Sequence, residues 1–224
     1  MANANNPFGL MPLTSASGST GNFEMVYAPI LYSDTTKIFR GDPVNRETTG
    51  YVSQWAANDS INAMAGIFWG CHYLSTAIGT TIYSQFWPGA DVASTAQNTL
   101  YAHIIPVNTA QPSKFAVQSD ATGIAFANIG ENIDLAMGTG NTTTGASGAY
   151  LNASTLGTTA TLPFRIVDLY GSASFGAFGG GGVSGVFPGA TTAGVANPYG
   201  GSYTGAYNWV IVQPNIIAGG TGLA

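Results

Sequence analysis

The sequence predicts an all-β sandwich, and three observations lead there. Short runs of aromatic and branched residues recur along the chain, each closed by Gly, Pro, Asn or Asp. Apolar residues nowhere recur at helical spacing over three turns. A chain of 224 residues with a single cysteine suits one β-rich domain held by packing alone, because Cys71 has no partner for an internal disulfide.

The elements follow in order. Residues 1–21 are mostly Asn, Ser, Thr, Gly and Pro, with Phe8, Leu10, Met11 and Leu13 as apolar anchors, and read as an extended arm. Residues 23–32, FEMVYAPILY, form the first strong strand candidate. Asp34-Thr35 turns into Lys37-Ile38-Phe39, and Gly41-Asp42-Pro43 punctuates before Val44. Strands are expected near 51–55, over 66–74 with glycines that predict a bulge, and over 80–87, ending at Pro88-Gly89. A polar link at 91–99 leaves room for a short helical turn, as does 119–124. Further strands are expected at 100–107, 114–118, 131–137, 149–152, 161–169 and 207–213. The sandwich domain is therefore 22–170 with 207–224. Residues 171–206 form a Gly- and aromatic-rich insertion, in which Phe175, Phe178, Phe187, Tyr199 and Tyr203 are candidate oligomer or knob contacts, since rings anchor interfaces.

Composition excludes several classes. Charged residues make up 7% of the chain against about 25% in an ordinary soluble domain. The cations are Lys37, Arg40, Arg46, Lys114 and Arg165, and five scattered charges cannot form a groove for nucleic acid. A 45% hydrophobic content excludes a disordered acidic chain. No window of 18 apolar residues predicts a membrane span, and the start MANANNPFGL lacks the features of a secretory leader. A surface this poor in charge predicts burial against partners or copies of the same chain.

Catalytic chemistry is sparse. His72 and His103 are the only histidines, and no G-x-S-x-G elbow accompanies them. Cys71 and His72 are adjacent, so on a strand they point to opposite faces. No spacing of a metal-ligand motif is present. Glu131, Asp134 and Asp168 would be the carboxylates of a hydrolase, the weakest alternative, and Trp55, Trp69, Trp87 and Trp209 read as core before they read as sugar platforms. The reading is a protein that is not an enzyme, with no cofactor and no catalytic, cofactor-binding or metal residue.

Three blocks carry a family resemblance. Asn5-Asn6-Pro7-Phe8-Gly9-Leu10-Met11-Pro12 resembles the N-A-x-x-P-F-G-L-x-P opening of tailed-bacteriophage capsid decoration, or cement, proteins. Ser33-Asp34-Thr35 with Ile38-Phe39-Arg40-Gly41-Asp42-Pro43-Val44 is similar to their S-D-x-T-x-x-I-F-x-G-D-P-V. Residues 130–166, from Gly130-Glu131-Asn132 through Gly138 and Gly148 to Thr158-Thr159-Ala160-Thr161-Leu162 and Arg165-Ile166, are similar to a third block, and Trp209–Val212 to a closing strand. The blocks span roughly half the chain, in the family's order. Met11 stands where the family commonly has Arg, and 171–206 has no counterpart.

The resemblance implies a jelly-roll-like sandwich sitting as a homodimer or homotrimer on the outer capsid surface of a virion, made in the host cytoplasm. Its partners would be the major capsid protein and itself, with no nucleic acid and no membrane. It would cement neighbouring capsomers against internal pressure. The arm at Pro7, Phe8 and Leu10 would bind the capsid. The competing expectation is a head-fibre or receptor protein that binds glycans, or a tail component.

Overall fold

The computed structural model describes residues 4–14, 25–56, 64–107, 114–170 and 205–215. The described chain is an all-β sandwich. One six-stranded sheet contains β1 (Met11–Thr14), β10 (Lys114–Gln118), β11 (Asn132–Ala136), β12 (Tyr150–Gly157), β13 (Phe164–Leu169) and β14 (Trp209–Pro214), in the order β1-β10-β14-β13-β11-β12. The second contains β2 (Val26–Pro29), β4 (Pro43–Arg46), β5 (Val52–Gln54), β6 (Met64–Leu74), β7 (Thr81–Ser84) and β9 (Tyr101–Pro106). Its order is β2-β9-β6-β4-β5, with β7 beside β6. A two-stranded sheet pairs β3 (Ile38–Phe39) with β8 (Phe86–Trp87). The strand pairs within the three sheets are antiparallel, and several neighbours, such as β1 with β10 and β10 with β14, are far apart in sequence.

Two cores result. The first lies between the six-stranded sheets, where Phe115, Val117, Ile133, Leu151, Phe164 and Val212 meet Trp55, Ile67 and Ile105. The second lies on the other face of the second sheet. There Val44, Phe68, Cys71, Ala102 and Ile104 are closed over by Ile38 and Trp87, which pair across β3 and β8. The second sheet is thus a middle layer. Its long strand β6 is buried on one face along most of its length and on the other at the Ile67 end, so most of 66–74 reads as an apolar run.

A buried carboxylate joins the layers. Asp42 is 1% exposed. Its carboxylate accepts hydrogen bonds from the Phe39 N–H at 2.8 Å, the Gln54 side-chain amide at 2.7 Å and the Ser147 hydroxyl. Burial pushes its pKa above the ordinary carboxylate range, and these three donors partly oppose that rise. Around it, Arg40 N–H donates to Gly145 O at 2.9 Å and Ser147 N–H donates back to Arg40 O at 3.0 Å. Leu10 N–H donates to Gly41 O at 2.9 Å, and Gly9 N–H to Ala149 O at 3.2 Å. Gly9 has φ +74°, and a Cβ there would stand 2.5 Å from Gly41 O. Both the backbone conformation and the close approach require glycine.

This geometry corrects the reading of the N-terminus. Residues 4–14 belong to the sandwich. β1 is an edge strand on β10, the side-chain amide of Gln118 binds Asn6 N–H and Ala4 O, and Leu10 is fully buried in the first core. A run of Pro, Gly and Asn looked like an arm because its hydrogen-bond partners are far away in sequence. β4 was likewise read only as a turn, because Pro43 hides a strand whose core-facing Val44 is buried. The polar link at 91–99 holds a 3-10 turn, Ser94–Thr99, and 119–124 is a turn built on Asp120 and Asn208. The insertion 171–206 lies outside the described residues except for Gly205 and Ala206.

Two stability measurements check these contacts. Leu10→Ala will lower the unfolding free energy by about 2–5 kcal/mol in denaturant titration, the cost of a cavity in a closed core. Asp42→Ala will cost about 3 kcal/mol or more by stranding buried donors, and Asp42→Asn will cost less. Asp42 also carries a pH signature. Because its folded pKa is raised, the folded state holds the proton after the unfolded state has lost it. Its contribution to stability therefore falls as pH rises above about 3.8 through the folded pKa. The stability difference between wild type and Asp42→Asn will shift across that window, and a pH-independent difference would contradict this account.

Candidate functional site

The candidate site is built on the second sheet, on the face opposite Ala28, Cys71, Tyr73, Ala102 and Ile104. Strands alternate faces, so Tyr27, His72, Tyr83, Tyr101 and His103 share one side. The register aligns them in two rows. Tyr27 pairs with His103, and Tyr101 pairs with His72, which in turn pairs with Tyr83. At the other end of the same face Ile67 and Ile105 enter the first core. The face is therefore covered by the first sheet at one end and bare at the other. Tyr27 and Tyr83 are 64% and 75% exposed.

The imidazoles touch. His72 Nδ1 and His103 Nε2 lie 2.7 Å apart, and the centroids of the two rings 5.0 Å apart. Gly70 stands directly across from His103, so no side chain intervenes between the two rings. Aromatic neighbours frame the pair. The Tyr27 ring meets His103 edge-on at 4.9 Å and His72 at 5.7 Å, Tyr101 stacks on His72 at 5.5 Å, and Tyr83 sits 5.5 Å from His72. Burial, and then the neighbouring His72, hold the His103 pKa below the ordinary histidine value. In this contact one ring nitrogen donates its N–H and the other accepts it, the roles following the tautomer.

A groove borders this patch, lined by Pro29, Thr49, Tyr51, Asn98 and Tyr101, with a volume of about 340 Å³. A smaller one of about 170 Å³ lies by Phe8, Trp69 and Arg40, whose guanidinium sits 4.0 Å above the Trp69 ring.

The other candidate residues are placed as follows. Pro7 and Phe8 are half-buried, and Phe8 meets Trp209 edge-on at 5.0 Å. With Leu10 in the core and Phe8 against Trp209, two of the three expected capsid-binding residues pack within their own domain. Phe175, Phe178, Phe187, Tyr199 and Tyr203 lie outside the described residues. The hydrolase carboxylates sit at separate points, Glu131 just before β11, Asp134 on β11 and Asp168 on β13. Asp134 and Asp168 are buried at strand irregularities on β11 and β13, where each accepts the N–H of the next residue, Leu135 at 2.7 Å and Leu169 at 2.8 Å. Glu131 accepts from the side chain of Asn128 at 3.0 Å. Trp55 and Trp87 are fully buried, and Trp69 and Trp209 half-buried.

Sequence reasoning missed the imidazole pair. It treated the two histidines singly, although strands at 66–74 and 100–107 were both expected. Only their antiparallel register sets His72 beside Tyr101 and within reach of His103. Cys71 faces the second core as the alternation requires, and burial pushes its thiol up to about 12.

Comparison with family models, with curated proteins and with solved structures finds no match to this chain. Among the described residues no helix is long and apolar enough to cross a membrane.

The thiol offers a check of this placement. Native protein will not react with a thiol reagent at pH 8 over minutes, and one equivalent will react after unfolding in denaturant. Rapid labelling of the native chain would place Cys71 on the open face.

Proposed function

We propose that this chain is a structural virion subunit of the capsid decoration type, not an enzyme, binding the outside of an icosahedral shell and cementing neighbouring capsomers. The observation that carries the reading is the bare end of the second sheet. A flat face of three tyrosines and two imidazoles, without a charged residue in its rows, is composed like the centre of a protein interface. The resemblance of the blocks at 5–12, 33–44 and 130–166 supplies the class of assembly. The low charge of the whole chain agrees with a subunit that works against neighbours.

On this reading the work is done by area and repetition. A subunit that binds only the assembled lattice stabilises that lattice by mass action, and a symmetric array multiplies modest contacts. The N-terminal segment contributes by completing the sandwich. The partners are the major capsid protein and further copies of this chain.

Two measurements test the proposal. Quantitative mass spectrometry of purified particles will give hundreds of copies in simple ratio to the major capsid protein. A dozen copies or fewer would move the chain to a tail or fibre, and absence would overturn the reading. The double variant Tyr27→Ser/Tyr83→Ser will keep its unfolding free energy within about 1 kcal/mol, since both rings are largely exposed. It will lose most of its binding to undecorated shells in a sedimentation assay.

A second reading has its own observation. The groove between Tyr51 and Tyr101, with Thr49 and Asn98 on its walls, has the ring-and-amide chemistry of a sugar site. A glycan-binding head protein would retain sugars on an array as an isolated chain, and a pure cement protein would not.

A further inference from the structure

We propose that His72 and His103 form a two-imidazole binding site for a divalent transition-metal ion of the copper and nickel class. The site does not rest on the virion reading.

The argument is geometric. The two imidazoles rise on one face from neighbouring strands, β6 and β9, and their facing nitrogens are 2.7 Å apart. Two metal–imidazole bonds of about 2.0 Å at a right angle set their nitrogens about 2.8 Å apart, whereas a tetrahedral angle opens them to about 3.3 Å. The observed spacing, set here by the N–H···N bond, is close to that of a cis pair on a tetragonal ion. Rotation of the rings about their side-chain torsions then aims both lone pairs at a common point, in place of the N–H···N bond.

The fold holds this spacing in advance. Gly70 lies across from His103 in the ladder, and a Cβ there would press on Ser84 O at 2.9 Å, so the close approach of β7 to β6 beside the pair requires glycine. Tyr101 and Tyr83 flank the His72 ring at 5.5 Å each, and Tyr27 abuts the His103 ring at 4.9 Å. Rings packed this way have lost most of their rotamer freedom on folding, so the turn that the ion requires costs little further entropy. Among the described residues no cluster of three or more His, Cys, Asp and Glu exists, so the imidazoles are the only such protein donors here. The remaining positions of the ion open onto the exposed side of the sheet and take water. Imidazole donors with a right-angle bite favour Cu(II), then Ni(II), over Zn(II).

The test uses the full chain without an affinity tag, titrated with CuCl₂ or NiCl₂ in a non-coordinating buffer. Calorimetry will give one Cu(II) per chain, and electron paramagnetic resonance will show a tetragonal signal split by two nitrogens. His72→Ala and His103→Ala will each weaken Cu(II) binding by more than about tenfold, since even groups one step removed from a metal are worth about 10–100-fold. The double variant will weaken it little beyond either single one, because one imidazole does not chelate. Circular dichroism will verify folding, and His72→Gln and His103→Gln serve where an alanine variant fails to fold. No binding to wild type, or equal binding by wild type and the double variant, would overturn the proposal.

Discussion

Asp42 is the point on which the sandwich is assembled. A carboxylate removed from water is tolerable only where donors replace its hydration. Here those donors come from three separated places, Phe39, Gln54 and Ser147. Satisfying that one group fixes where β3, β5 and the 138–149 segment stand. The backbone around it completes the join. Phe68 N–H binds Asp42 O at 2.8 Å and Gly41 N–H binds Phe68 O at 2.8 Å, which ties this turn to β6 at the centre of the molecule. Leu10 is then carried into the first core by a hydrogen bond to Gly41.

The blocks that carry the resemblance have a structural explanation in this join. Pro7–Leu10, Arg40–Asp42 and Gly145–Ala149 are far apart in sequence and adjacent in space. Their glycines are needed where backbones pass within contact distance, as at Gly9 over Gly41. These residues specify how the layers meet, and they say little about what the outer surface binds. The functional question moves to the surface that the join leaves open.

That surface is a consequence of unequal coverage. The first sheet lies over one end of the middle layer, and Ile67 and Ile105 are apolar there. Past that boundary the same face carries tyrosine and histidine, residues with an apolar body and a polar tip that suit both water and a partner. On this patch an exposed aromatic surface and a pair of imidazole nitrogens in contact lie in one place.

The sequence by itself determined the fold class and most of the strands. Alternating aromatic and branched residues between turn residues leave few other ways to bury so much apolar surface with so little charge. It also determined that Cys71 and His72 face opposite ways, since alternation is a local property of a strand. Only the tertiary structure decided what depends on long-range register. The segment around Leu10 was illegible because its β partner, β10, lies about a hundred residues away. Strand β4 was illegible because proline and aspartate read locally as a turn, whereas the burial of Asp42 is set by Ser147 and Gln54. The histidine pair was illegible for the same reason: one residue of slip between β6 and β9 would turn one ring to the other face, and nothing in either strand alone fixes that register.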